Sequence, residues 1–373
     1  MKRWPTKRLG DLVDFLGGGT PRRDRPEYWG GDIPWASVKD LQSQSLETTM
    51  ETITSEGLAN SASHLIPEGT VIIASRVGLG KVAINQKPVA INQDLKALTP
   101  RTGNLHPRYL LRFLHSKADY FERAGVGATV KGLTIADYQR LDIALPPMDE
   151  QERIVNLLDE ADQLRKLRAQ ADSRTNALIP ALFHKMFGDP ARNEMGWPIK
   201  PFGELANNQD GRRKPVKASD RAERKGDYPY YGASGIIDYV EEYLFDETAL
   251  LIGEDGANLL ARSTPIAFLA HGKYWVNNHA HVVTDNGNAD LDYLGATLNL
   301  RDISDYVTGS AQPKLNQANL NRMAIPVPPL PLQKEFAERV SEIRELESTQ
   351  AASCHRLEHL FQSLLYRAFD GGL

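Results

Sequence analysis

The chain has 373 residues, 41% of them hydrophobic, 25% charged and 8% aromatic, with a formal net charge of −4. Such a length allows two domains at roughly 150 residues each; the composition excludes a disordered or collagen-like chain, and no apolar run of about 18 residues is present to span a membrane. A single cysteine, Cys354, excludes an intrachain disulfide and a cysteine-based zinc site, and with charged residues rather than an apolar stretch after Met1 it points to the cytoplasm.

In chain order, the elements come twice. Trp4-Pro5-Thr6-Lys7-Arg8-Leu9-Gly10-Asp11-Leu12 returns 193 residues later as Trp197-Pro198-Ile199-Lys200-Pro201-Phe202-Gly203-Glu204-Leu205. A glycine-rich basic loop follows, Gly17-Gly18-Gly19-Thr20-Pro21-Arg22-Arg23-Asp24-Arg25, matched by Gly211-Arg212-Arg213-Lys214-Pro215-Val216-Lys217. Asp32-Ile33-Pro34-Trp35 is echoed by Asp227-Tyr228-Pro229-Tyr230. Strands are predicted at 71–74 and 82–84 around the turn Gly78-Leu79-Gly80, and again at 249–252 and 266–269. Asn92-Gln93-Asp94 follows a further strand and corresponds to Asn277-Asn278-His279. Short helices are expected near 109–121 and 293–300.

Beyond these, Gly127, Leu133, Ala136, Arg140, Ile143, Pro146, Pro147 and Gln151 recur without a gap as Gly309, Leu315, Ala318, Arg322, Ile325, Pro328, Pro329 and Gln333, at an offset of 182. The C-terminal third of each copy is therefore rigid in length, and the 11-residue change of offset falls in the middle. After each Pro-Pro the apolar spacing becomes helical, from Ile154 to Leu182 and from Phe336 to Ala368, with Asp149 and Glu152 as the first start signal. Each run is some 37 residues, roughly 55 Å of helix, and Pro180 is expected to kink the first. Stripes this narrow are best buried by packing the two helices as an antiparallel coiled coil. The fold class expected is α+β: two mixed α/β domains at 1–149 and 188–332, separated by helices at 150–187 and 333–373, with pseudo-twofold symmetry.

Catalytic patterns fall short of their chemistry. Val77-Gly78-Leu79-Gly80-Lys81 lacks the glycine spacing of a phosphate-binding loop and the hydroxyl residue after its lysine, and reads as a hairpin turn. His279-Ala280-His281 has a spacing that could put two imidazoles on one strand face, but no ligand cluster accompanies it. Glu254-Asp255 and Asp290-Leu291-Asp292 lack the further groups of a nuclease. Neither Gly-x-Gly-x-x-Gly after a strand nor a polar residue before Pro-Pro-aromatic is present. Cys354, on the helical stripe, reads as core rather than nucleophile.

Charge resolved along the chain is more informative than its total. Residues 1–149 carry +3, residues 188–332 carry −5, and the helical runs 0 and −2. The two basic loops stand out against this. Thr20, Arg22, Arg23 and Arg25 in one, and Arg212, Arg213, Lys214 and Lys217 in the other, suit phosphate contact, and arginine can also read guanine. Asn92, Gln93, Asn277 and Asn278 can pair with adenine edges or equally cap turns, with His279 beside them. Arg76 and Lys81 at the first hairpin, and Lys131 and Lys314 beside the Gly127 and Gly309 loops, complete the DNA-binding candidates. No catalytic or metal-binding residue is assigned.

Leu-Gly-Asp-Leu near the start, Gly-Gly-Thr-Pro at 18–21, Ile33-Pro34-Trp35 and Leu-Pro-Pro…Gln-x-x-Ile at 145–154, duplicated with a long helix after each copy, resemble the DNA-specificity subunit of type I restriction-modification systems. The second copy matches more loosely, with Val-Pro-Pro…Gln-x-x-Phe at 327–336 and no Gly-Thr-Pro. The resemblance implies two target-recognition domains, each reading one half of an asymmetric bipartite site in double-stranded DNA, with helices fixing the spacer. It implies a noncatalytic chain that binds no cofactor, holding two methylation subunits that use S-adenosylmethionine, and through the complex restriction subunits that use ATP and Mg. Half-sites read from one face lie about 34 Å apart. Other readings are the specificity subunit of a system whose single partner both methylates and cuts, and an atypical DNA-modifying enzyme.

Overall fold

The computed structural model describes residues 4–126, 131–309 and 311–371. Gly127, the expected match of Gly309, lies outside them. The chain forms two compact units, one of residues 1–168 with 353–373, the other of 169–352.

In the first unit a five-stranded sheet runs in the order Val13–Gly17, Leu95–Pro100, Val71–Ala74, Val82–Asn85, Ser45–Leu46. The predicted hairpin pairs antiparallel, Val71 opposite Ile84. A four-stranded sheet holds Glu51–Ile53, Trp29–Ala36, Val89–Ile91 and Leu65–Ile66. Both are built from β-branched runs buried on both faces, Val71 to Ala74 and Val89 to Ile91 being wholly buried, as internal strands of a layered domain require. The second unit repeats the plan with Ala206–Asn208, Ala280–Asp285, Ala249–Gly253 and Ala267–Ala270 in one sheet, and Gly235–Val240, Lys225–Gly232, Lys273–Val276 and Phe245–Asp246 in the other. Trp35 pairs parallel with Ala90, and Tyr230 parallel with Trp275, so the weak echo at Asp32–Trp35 is a true structural equivalence. The expected short helices are Pro107–Ser116 followed by Ala118–Ala124, and Leu291–Leu300.

The repeated glutamine has a clear task. Gln151 and Gln333 are fully buried. Gln151 Nε2 donates to Asn104 O and Pro146 O, each at 2.8 Å, and its Oε1 accepts from His106 N–H. Gln333 Nε2 donates to Pro328 O at 2.7 Å, and its Oε1 accepts from Asp290 N–H. Each stitches the start of a long helix to the start of the short one, satisfying buried main-chain groups that lie outside the helices' own hydrogen-bond ladders. The first long helix begins at Met148, so Asp149 and Glu152 lie inside its first turns and do not cap it.

The first run is two helices, Met148–Asn176 and Leu178–Phe187, with the break one turn ahead of Pro180, where the ring disfavours a continued helix. The second is unbroken from Leu330 to Tyr366. The compact units cut across the divisions at 149, 187 and 332 because each helix ends on the other repeat's domain. In the first unit Phe361, Leu365, Ala368 and Phe369 join Ile154, Val155 and Leu158 in the core around Tyr109 and Phe113. The segments run antiparallel there: Arg165 is paired with Glu358 at 2.6 Å, further from the domain than Ile154. In the second unit Phe183 and Phe187 pack on Phe336 and Tyr293. Leu164 and Leu167 of the predicted stripe are more than half exposed, and Cys354 is exposed rather than core.

Candidate nucleic-acid interface

In the first unit the structure brings two separate sequence clusters together. The loop after Val13–Gly17 lies flat on the end of Val89–Ile91. Gly19 N–H donates to Ile91 O at 3.0 Å, and a Cβ on Gly18 would stand 1.9 Å from that same oxygen, so only glycine fits there. Trp35 Nε1 donates to Gly19 O, and Trp29 Nε1 to Arg22 O. Thr20 Oγ1 donates to Gln93 Oε1 at 2.5 Å. Arg76 stands 3.8 Å from Asp94 and bridges to Gly132, next to Lys131. Lys81 closes the hairpin turn, its carbonyl accepting from Ala74 N–H, after Gly80, which abuts Ala118.

The arginines of this loop are not free. Arg22 pairs with Asp24 at 2.7 Å, Arg25 with Glu27 at 3.4 Å, and Arg23 with Glu51 while stacking 3.8 Å from the Trp29 ring centroid. A phosphate would have to displace these acids. Lys96 Nζ donates to Gln93 O at 2.7 Å; burial pushes its ammonium below the ordinary lysine range, against the pull of Asp94.

The second unit builds the same corner from different residues. Trp275 Nε1 donates to Lys214 O at 2.6 Å, and Tyr230 Oη accepts from Val216 N–H, fixing the basic loop. Asn92 and Asn277 are only 6% and 5% exposed. Each accepts through Oδ1 from the N–H two residues on, Asp94 at 3.1 Å and His279 at 2.8 Å. Of the two roles open to them, the structure gives them turn capping. The intervening residues, Gln93 and Asn278, are exposed and are held at equivalent points of the two units.

Arg213 also departs from the expected surface role. Its side chain is 14% exposed, pairing with Asp210 at 3.3 Å and Glu254 at 2.7 Å, and it donates to Ala280 O. His281, at the position of Lys96, is fully buried, its Nδ1 2.5 Å from Asp210 and its Nε2 2.7 Å from Leu315 O. A main-chain carbonyl only accepts, so Nε2 carries hydrogen. Lys314 pairs with Glu254 at 3.1 Å, His279 with Asp255 at 2.8 Å, and Arg212 with Glu247 at 2.6 Å while lying over Phe245. Asp210, Glu254 and His281 bring their donor atoms within 4.8 Å of one another, but these atoms are committed to Arg213, Lys314, each other and the main chain. The network is a buried ion cluster that positions the loop. Sequence reading missed Asp210, Glu254 and His281 as partners of the candidates; the register equating His281 with Lys96 was the available signal.

This cluster makes the second unit acid-sensitive. Burial pushes the Asp210 carboxyl up, yet the hydrogen bond and charge of His281, the Val282 N–H and Arg213 outweigh it and hold it below its usual range. Glu254 is likewise lowered, burial being outweighed by Arg213, Lys314 and His281. Carboxyls depressed on folding stabilise the fold fully above their unfolded values, and that stabilisation is lost as pH falls through the folded ones. Residues 206–285 should therefore become cleavable by brief pepsin pulses below about pH 4, and Asp210→Asn should flatten that dependence. A pH-independent cleavage pattern would refute the assignment.

A family model described as the type I restriction modification DNA specificity domain matches residues 1–172 and 194–353. The chain belongs to that family. As a specificity subunit it serves DNA sequence recognition in a restriction-modification complex, with catalysis carried by other subunits. The type I restriction enzyme MjaIX specificity subunit of Methanocaldococcus jannaschii is 24% identical to it over 92% of this chain and 87% of that one. The EcoprrI specificity subunit of Escherichia coli is 24% identical over 86% and 82%. Among solved structures, a type I S subunit from M. genitalium superposes with a TM-score of 0.61 at 18% identity, over 98% of this chain and 96% of that one, which supports the fold of this specificity chain.

Proposed function

We propose that this specificity subunit reads an asymmetric bipartite DNA site, one half per unit, with Gln93 and Asn278 as the base-reading amides. The observation that carries this is their equivalent placement: each is exposed, follows a buried asparagine that fixes its turn, and stands beside a tryptophan-anchored basic loop. A primary amide can donate to and accept from one adenine edge at once. The surroundings differ, with Thr20, Arg76 and Asp94 in one unit and His279, Asp255 and Lys314 in the other, so the half-sites differ too.

Sequencing of methylated bases in the host genome with and without the gene tests this. It should reveal one bipartite motif. Gln93→Ala should relax a single position in one half and Asn278→Ala a position in the other, each by about 1–3 kcal/mol of discrimination. Either variant altering both halves would contradict the reading.

Four candidate lysines, Lys81, Lys131, Lys214 and Lys217, are exposed and form no ion pair among the described residues. With the arginines held by acids, the isolated chain should bind DNA weakly, with a log–log salt slope of about −3 to −4 if each lysine meets one phosphate. A slope near zero in fluorescence anisotropy would rule out these contacts. Two modification subunits, using S-adenosylmethionine, and restriction subunits, using ATP and Mg, would supply catalysis and further phosphate neutralisation. Among the described residues no helix is long and apolar enough to cross a membrane. The exposed Leu164, Leu167, Leu346 and Leu360 offer apolar surface for those partners.

A further inference from the structure

The two units differ at one sheet edge. In the first, Ser45–Leu46 runs parallel to Val82–Asn85 and closes the sheet: Ile84 N–H donates to Gln44 O and Gln86 N–H to Leu46 O, both at 2.9 Å. In the second, the equivalent sheet has four strands and ends on Ala267–Ala270. Ala74 N–H meets Lys81 O in one unit as Gly253 N–H meets Ile266 O in the other, so Leu269 stands where Ile84 stands and His271 where Gln86 stands. This pairing turns the main-chain groups of Phe268 toward the sheet and those of Ala267 and Leu269 outward. Asn299 satisfies Ala267, its Oδ1 accepting at 3.1 Å and its Nδ2 donating at 2.7 Å. The N–H groups of Leu269 and His271 have no partner among the described residues.

The cover is missing because its connection is missing. Residues 37–50 join two strands in the first unit, while Ala233-Ser234 alone join Lys225–Gly232 to Gly235–Val240. That shortening matches the change of repeat offset to within one residue. The open edge borders a cavity of about 660 Å³ lined by Leu250, Leu269, Phe336 and Val340, with Arg344 and Glu347.

We propose that Leu269–His271 is a docking edge for an extended segment of another protein subunit of the restriction-modification assembly. The segment adds as a fifth strand, parallel to Ala267–Ala270, as Ser45–Leu46 does within the first unit. The inference rests on the reading of this chain as that assembly's specificity subunit. The occupant must offer carbonyl acceptors two residues apart along an extended backbone, and an apolar side chain between them and Leu250. A protein strand supplies both; DNA supplies neither, and Glu347 opposes phosphate while Arg344 is already paired with Asp292.

Hydrogen exchange of residues 268–272, compared in the free chain and in the complex with its modification and restriction subunits, should slow by about tenfold or more on assembly. A photo-crosslinker in place of Leu269 should join to a partner subunit. Leu269→Pro removes the outward N–H at a position where an edge strand tolerates proline, and Leu269→Ala, which keeps that N–H, controls for the lost side chain; the proline variant should weaken assembly more than the alanine variant while leaving the methylated motif unchanged. Equal exchange in both states, crosslinks only to DNA or to a second copy, or undiminished assembly of a folded Leu269→Pro chain would each overturn the docking edge. The genome methylation motif keeps the two readings separate: a motif that depends on the gene, with unchanged exchange, sinks the docking edge alone, while no such motif sinks the specificity reading itself.

Discussion

Asp210→Ala should lower the stability of the second unit by about 3–5 kcal/mol, because it strips a buried ion network of its central acid. The Asp210 side chain is 8% exposed and faces Arg213, His281 and the Val282 N–H. Removal would leave Arg213 with Glu254 as its one remaining acid beside the Ala280 carbonyl, and the His281 Nδ1 with a carboxylate 3.8 Å away. The penalty comes from charge left in a poorly solvated place rather than from a lost surface pair, which is worth about 0–1 kcal/mol. Urea denaturation of the full chain measures it, and Asp210→Asn, which keeps an acceptor for Val282, should cost less. A loss below about 1 kcal/mol would mean that water reaches the cluster freely. The loop Gly211–Lys217 depends on the same network, so recognition of one half-site should fail while the other persists.

Phe183→Ala is the second large effect, about 3–5 kcal/mol for deleting a fully buried aromatic. Phe183 stacks on Tyr293 at 5.6 Å between centroids, with Phe336 at 5.6 Å and Phe187 at 5.0 Å meeting it nearer to edge-on. By sequence it closes the first repeat, yet its core is that of the second. Brief proteolysis should therefore open residues 199–326, leaving 6–144 protected. The opposite pattern would show that the tail belongs to the repeat it ends.

The sequence carried much of this fold in its repeat. The constant offset from Leu133 to Gln151 marked the buried glutamines without revealing their bonds, and it did not foresee the two-stranded pairings of Thr6–Arg8 with Asp142–Ala144 and of Ile199–Pro201 with Ala324–Pro326. Helical periodicity found both long helices and Pro180 foretold the break. What periodicity could not tell is where each helix ends its packing, because an apolar stripe does not name its partner. The same limit applies to the candidate site. Asn92 and Gln93 look alike in composition, and only the backbone turn decides that one is buried as a cap while the other faces outward. Arg213 looked like Arg212 for the same reason. Charge counting likewise saw arginines but not the acids, Glu51 and Glu254, brought to them from distant segments.

The exchanged helix ends make the link between the repeats dispensable for holding the protein together. A cut between Phe187 and Ile199 would yield one fragment bearing Phe183 and Phe187, which complete the second core, and another bearing Phe361 and Phe369, which complete the first. Each piece would hold what the other lacks, so the nicked protein should survive as a non-covalent pair, whereas neither piece alone has a finished interior. Two genes, each encoding one repeat, could do the work of this one.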